Sequence, residues 1–173
     1  TPAQWRKIRG KEIAMIFQDP MTALHPTMRI GKQMEEVLEV HTDMNSVQRK
    51  ARIEEALDEV EIKDALWSTK KYPHELSGGQ RQRVVIAMAM LMEPKLIIAD
   101  EPTTALDKQV EGIVLKLLSD LVRKKSCALW FISHDLELVA NFSDRVVVLY
   151  QGKTIETGKA KRVFNNPKHP YTK

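Results

Sequence analysis

Apolar runs and helical stripes follow one another along the chain in three blocks. The run Glu12-Ile-Ala-Met-Ile-Phe17 predicts a short buried strand, and Gln18-Asp19-Pro20 closes it with a turn signal. From about 21 to 93 the period becomes helical. Ile30, Met34, Val37 and Leu38 make one stripe, and Ile53, Ala56, Leu57 and Val60 make a second on a helix from about Val47 to Val60 with Asn45 or Ser46 as its cap. Tyr72-Pro73-His74-Glu75 reads as a loop. A third helix is expected from Gly78-Gly79 to about Met92, where Glu93-Pro94 stops it. The last block alternates: a strand Leu96–Ala99, a helix capped by Asp107 with Val110, Ile113, Val114, Leu117, Leu118 and Leu121 as its stripe, a strand Ala128–Ile132, and a short helix around Leu136, Val139 and Ala140. A strand Val146–Leu149 follows and turns through Gly152-Lys153 into Thr154-Ile155-Glu156. Strands alternating with helices predict an α/β fold with a mainly parallel, helix-covered sheet. The runs near 12–17, 96–100, 128–133 and 145–150 are expected to share that sheet, with 21–93 as a helical lobe beside it.

Composition narrows the class. The chain has 173 residues, 43% hydrophobic and 29% charged, which excludes a disordered chain, a collagen and a disulfide scaffold. One cysteine, Cys127, lies in an apolar run and reads as an inert buried thiol. The longest apolar stretch, Val84 to Met92, falls far short of the roughly 20 residues of a spanning helix. Thr1 to Gly10 lacks the apolar block of a signal peptide, so the cytoplasm is the default location. A net charge of +4 raises nucleic acid as a partner. The basic residues are scattered, though, and the longest run, Arg123-Lys124-Lys125, closes a helix whose dipole it complements. No nucleic-acid partner is expected.

Three strand ends carry candidate chemistry. Leu96-Ile-Ile-Ala-Asp100-Glu101 ends a buried strand in two adjacent carboxylates. In open parallel sheets ligands bind beyond the carboxyl ends of strands. Two acids there either face a cation and activate water or form a solvated turn. Ser133-His134-Asp135 follows a second strand and Gln18 a third, so Gln, Asp-Glu and His can converge on one edge. Such a set suits a metal, a positioned water and a phosphate. Leu76-Ser77-Gly78-Gly79-Gln80 opens the third helix. Its free N–H groups and positive dipole end suit an anion, and an ordinary serine cap with flexible glycines is the alternative.

Taken in order, these segments resemble the ATP-binding-cassette (ABC) ATPases. Leu76–Gln80 resembles their signature motif, Leu96–Glu101 the Walker B strand with its glutamate, Ala105-Leu106-Asp107 the D-loop, His134 the switch histidine and Gln18 the Q-loop glutamine. Phe17–Pro26 and Asn166–Thr172 further resemble the ATPase subunits of peptide and nickel uptake transporters, which usually carry Asn where His25 stands. The resemblance implies a P-loop NTPase-like α/β domain, with 11–20 and 94–173 as its core and 21–93 as the helical signature subdomain. It implies ATP and Mg2+ as cofactors. Asp100 would hold magnesium through water, Glu101 would be the general base, His134 would stabilise the γ-phosphate, and Gln18 would sense magnesium and water. Ser77, Gly78, Gly79 and Gln80 would face the ATP of a partner subunit, and Asp107 the dimer seam. Implied partners are a second ATPase subunit, homo- or heterodimeric, membrane permease subunits meeting Met21 to about Val40 through Met21, Leu24, Met28 and Met34, with packing of the helical lobe as the alternative role of these side chains, and indirectly an extracytoplasmic solute-binding protein. The place would be peripheral, on the cytoplasmic face of the membrane. A soluble cassette ATPase acting on nucleic acid or the ribosome is the alternative, against which Gln18–Pro26 and His169–Thr172 argue.

One family motif is missing. The phosphate loop G-x-x-x-x-G-K-[ST] needs a glycine five residues before a Gly-Lys pair. The pairs starting at Gly10, Gly31, Gly152 and Gly158 have Trp5, Pro26, Val147 and Lys153 there. The resemblance places that loop before Thr1, so the sequence reads as a partial cassette. The expectation is an ATP-hydrolysing importer subunit whose present segment is inactive alone, with a transported solute the sequence does not name.

Overall fold

The computed structural model describes residues 1–172, the side chains of Pro2 and Ala3 excepted. Two compact units divide it, Thr1–Trp130 and Phe131–Lys173. The first contains α1 (Pro2–Ile8), β1 (Ile13–Ile16), α2 (Pro20–Ala23), α3 (Ile30–His41), α4 (Ser46–Glu59), α5 (Ala65–Ser68), a 3-10 turn (Pro73–Glu75), α6 (Gly78–Met90), β2 (Leu96–Asp100) and α7 (Lys108–Lys124), and ends within β3 (Ala128–Ile132). The second continues with α8 (Leu136–Phe142), β4 (Arg145–Tyr150), β5 (Lys153–Lys159) and α9 (Ala160–Asn165).

The sheet order is β1-β2-β3, with β1 and β2 parallel in the register Ile13↔Leu96 to Ile16↔Ala99. Along both strands burial alternates. Ala14, Ile16, Ile97 and Ala99 are buried, whereas Met15 and Phe17 are exposed. Among the described residues, then, one face of this pair is buried and the other is more exposed. α6 packs against β1 and is buried on nearly every side from Val84 to Met90, apart from Met88. Around it lie Ile30, Met34 and Leu38 of α3, Ile53, Ala56 and Leu57 of α4, and Val114, Leu118 and Leu121 of α7. Each of these side chains apart from Ala56 contributes about 1.5–3 kcal/mol on burial. Where α4, α6 and α7 end, lysines tie them together: Lys125 Nζ lies 2.8 Å from both Glu59 and Glu93, and Lys124 Nζ lies 3.0 Å from Glu59. Burial alone would push the Glu59 carboxyl up, but hydrogen bonds from Lys125 and Lys124 outweigh it and hold it below its ordinary range.

Three expectations need correction. The strand at 145–150 does not extend the β1–β3 sheet. β4 pairs antiparallel with β5 in a separate two-stranded sheet. The turn explains the pairing: Gln151 and Gly152 both take positive φ, at 48° and 74°, as a two-residue hairpin turn requires. On α7, Ile113 is 48% exposed, while Leu115 and Glu111 are buried in its place. Between Met21 and Val40, Leu24 and Met34 are buried in the helical packing and offer nothing to a partner; Met21 and Val40 are exposed. Cys127 is buried as expected, and burial pushes its thiol up.

Candidate functional site

The β1–β2 register sets the geometry. Since Ile16 is level with Ala99, the positions two residues further on are Gln18 and Glu101, at the same height on the carboxyl edge. Gln18 Nε2 donates to Glu101 Oε2 at 3.0 Å, across 83 residues of sequence. Asp19, next along, accepts from the Met21 N–H at 2.8 Å and caps α2, which begins at Pro20. Gln18 lies two residues beyond β1.

Glu101 stands in the left-handed region, at φ 44°, which non-glycine residues seldom adopt. The turn that follows holds it there. Thr104 Oγ1 donates to Glu101 Oε2 at 3.0 Å, and the Thr104 N–H reaches the Glu101 carbonyl at 3.3 Å. Thr103 is buried, and its hydroxyl donates to Glu111 Oε1 on α7 at 2.8 Å. Leu106 N–H closes the turn on the Thr103 carbonyl at 2.9 Å. Asp107 then caps α7, accepting from Gln109 and Val110 N–H at 3.1 and 3.0 Å. Thr103, Thr104 and Glu111 were not anticipated from sequence. The only available signal was two hydroxyls next to the acidic pair, which reads equally well as an ordinary turn.

The Ser77 turn is a reciprocal cap. Ser77 Oγ accepts from the Gln80 N–H at 3.3 Å, and Gln80 Oε1 accepts from the Ser77 N–H at 3.0 Å. Ser77 thus caps with a lone pair, so the cap does not consume its hydroxyl proton. Gly79 is required by packing: a Cβ there would stand 2.8 Å from Val110 Cγ1. At Gly78 the corresponding neighbour, Leu106 Cδ2, is 3.5 Å away. The start of α6 therefore lies against the start of α7, and Ser77–Gln80 and Asp107 are neighbouring segments of the first unit. His134 belongs to the second unit, exposed in the turn between β3 and α8, where Asp135 caps α8. The first unit brings together Gln18, Asp100 and Glu101 on one edge, and Ser77–Gln80 with Asp107 at the meeting of two helix starts.

Magnesium, which the family resemblance implies, favours oxygen ligands, keeps several waters and commonly takes only one or two carboxylates plus phosphate oxygens. Half-buried Asp100 and Glu101 with the Gln18 amide oxygen form a set of that kind. Among the described residues no three of His, Cys, Asp and Glu gather so as to hold a metal ion. Among them, too, no helix is long and apolar enough to cross a membrane.

A parallel α/β sheet with Gln and Asp-Glu at its carboxyl edge, together with a capped Gly-Gly helix start, has the layout of a nucleotide-binding cassette. The chain belongs to the ABC transporter family, whose sequence pattern matches residues 1–104. It is 51% identical to the oligopeptide transport ATP-binding protein OppD of Bacillus subtilis over 98% of this chain and 47% of that protein. It is 50% identical to the Escherichia coli OppD over 96% and 49%, so the chain spans about half the length of the curated relatives it matches. Among solved structures, an ATP-binding cassette in a dimeric post-hydrolysis state with ADP and Pi superposes with a TM-score of 0.78 at 29% identity, over 92% of this chain and 68% of that one. cbiO1 of Clostridium perfringens, part of an ABC transporter complex, superposes at 0.77 with 30% identity, over 90% and 60%.

Proposed function

We propose that this chain is part of an ATP-hydrolysing subunit that powers a peptide importer at the cytoplasmic face of a membrane. The observation that carries the reading is the Gln18–Glu101 hydrogen bond, which puts a water-orienting amide on a carboxylate at the carboxyl edge of two parallel strands. Half identity to OppD proteins along nearly the whole chain supports peptides as the transported class.

Each residue has a role in this proposal. Glu101 polarises the attacking water and takes up its proton. Gln18 orients both the carboxylate and the water. Asp100 would hold Mg2+, which when bound would supply positive charge against the phosphates. His134 donates to the γ-phosphate. Ser77, Gly78, Gly79 and Gln80 present a helix N-terminus and a hydroxyl proton to the γ-phosphate of ATP on a second ATPase subunit, while Asp107 lies on the seam between the two. Phosphoryl transfer depends on such positioning and charge stabilisation more than on covalent chemistry. Exposed Met21 and Val40 offer apolar contact to the permease subunits, and a solute-binding protein delivers the peptide on the far side.

Reconstitution tests this. The subunit carrying this chain, assembled with a peptide permease in vesicles, is expected to drive ATP-dependent uptake of a labelled oligopeptide presented by its binding protein. ATP-dependent uptake of nickel but not of peptides would overturn the substrate class. Absence of ATP hydrolysis in the assembled transporter would overturn the reading as a whole.

A further inference from the structure

The carboxylate at the sheet edge depends on a residue buried one helical turn into α7. Glu111 is 8% exposed, on a face otherwise lined by Val114, Leu115, Leu118 and Leu121. A carboxylate in such surroundings is costly unless it is hydrogen-bonded. Its partners are specific. Oε1 accepts from Thr103 Oγ1 at 2.8 Å, and Oε2 lies 3.1 Å from the Nζ of Lys108, a solvent-facing side chain. Thr103 is itself 4% exposed.

Thr103 occupies the middle of the turn that begins at Glu101. The backbone of Glu101 is in the left-handed region, a conformation that persists only when its surroundings impose it. Its side chain is held on Oε2 by Gln18, two residues beyond β1, and by Thr104 from the turn. Thr104 is only as well placed as the turn, and the Thr103–Glu111 hydrogen bond fastens the turn to the 17-residue helix α7.

Resting on the proposal that Glu101 is the base, we infer that Glu111 is a positioning residue for it: through Thr103 it fixes the turn whose Thr104 hydroxyl aims the Glu101 carboxylate. Glu111 acts through Thr103 and not on the reacting atoms themselves. Its contribution is to geometry, and a misplacement on the order of 1 Å at a reacting group can cost about 100-fold in rate.

The test uses the intact ATPase subunit. Thr103→Val replaces the hydroxyl by a methyl of nearly equal size, and Glu111→Leu removes the acceptor. Both should lower kcat by about 10-fold or more, while ATP affinity measured by equilibrium binding stays within about twofold. Glu111→Gln keeps an oxygen for Thr103 and should return kcat to within about threefold of wild type. Because the effect passes through Glu101, Thr103→Val should add nothing in a Glu101→Gln background. An undiminished kcat in Thr103→Val overturns the inference, as does an equal further loss in the Glu101→Gln background. A parallel fall of ATP affinity and Tm also overturns it, since that marks a purely structural role. If Glu111→Leu does not fold, Thr103→Val decides alone. Wild-type hydrolysis by Glu101→Gln would instead overturn the assignment of the base, a result separate from the others.

Discussion

Gly78 and Gly79 occupy adjacent positions at the start of α6, and the same substitution should act oppositely at the two. Neither has positive φ, so alanine is conformationally allowed at both. Alanine is favoured over glycine in a helix by up to about 1 kcal/mol, and less in the first turn. At Gly78 the new Cβ would meet Leu106 Cδ2 at 3.5 Å, an ordinary contact. Gly78→Ala should therefore be neutral or stabilising by a few tenths to about 1 kcal/mol. At Gly79 the new Cβ would stand 2.8 Å from Val110 Cγ1. Relief needs a shift on the order of 0.7–1 Å to reach normal carbon–carbon separation. Val110 sits in the first turns of α7, where a β-branched side chain has one strongly preferred rotamer and cannot swing away cheaply. Overpacking of this kind costs about 1–3 kcal/mol, which exceeds the propensity gain. For a chain of 173 residues, each kcal/mol corresponds to about 2–4 °C in Tm. Thermal unfolding without nucleotide should place Gly79→Ala several degrees below Gly78→Ala. Adding Val110→Ala to Gly79→Ala should remove the penalty, with a coupling of about 1 kcal/mol or more. Equal midpoints for the two alanine variants, or no relief from Val110→Ala, would refute the packing argument.

Other expectations are simpler to state. Asp107→Ala should lower stability by about 1 kcal/mol through loss of the α7 cap, and Asp107→Asn should retain most of it, as denaturant midpoints will show. Glu59 and Glu93 have carboxyls below their ordinary range; in Glu59 burial pushes upward and is outweighed by Lys125 and Lys124, and in Glu93 the hydrogen bond from Lys125 leads. A lowered folded value means that stability is present above the ordinary carboxylate range and is lost as pH falls through the folded values. The denaturant midpoint should therefore drop below about pH 4, and Lys125→Met should flatten that part of the profile. Cys127, buried with its thiol pushed up, should react with iodoacetamide only after denaturation, as mass spectrometry can follow.

Local signals made much of the fold legible. The apolar runs at 12–17 and 96–100 and the Asn45 cap became β1, β2 and the start of α4 within a residue or two, because each is set by its own side chains. Helices of a single turn, α2 and α5, left no stripe to read, as four residues do not complete an amphipathic period. The turn from β4 into 154–156 was legible, but the sheet that β4 joins was misjudged because a run of valines specifies a strand and not its sheet. On α7 the apolar period took in Ile113 and passed over Glu111, since a buried acid is indistinguishable in sequence from a surface one. Gln18, Asp100-Glu101 and His134 were expected at one edge because parallel strands bring their carboxyl ends together; the hydrogen bond between Gln18 and Glu101 is seen only in the folded chain. Thr103 and Thr104 were missed because their roles come from hydrogen bonds formed only once the turn is folded.

Glu101 is the centre of the proposed hydrolysis. In the proposed ATPase subunit carrying this chain, Glu101→Gln preserves the shape of the side chain and leaves an amide oxygen for Gln18 and Thr104, but it removes the charge that in this proposal polarises water and accepts a proton. Steady-state ATP hydrolysis, measured beside equilibrium ATP binding on the same preparation, tests this directly. The expected result is a rate lower by about 100- to 10,000-fold with ATP still bound and the two-subunit complex longer-lived. Hydrolysis at the wild-type rate with undiminished binding would contradict the account.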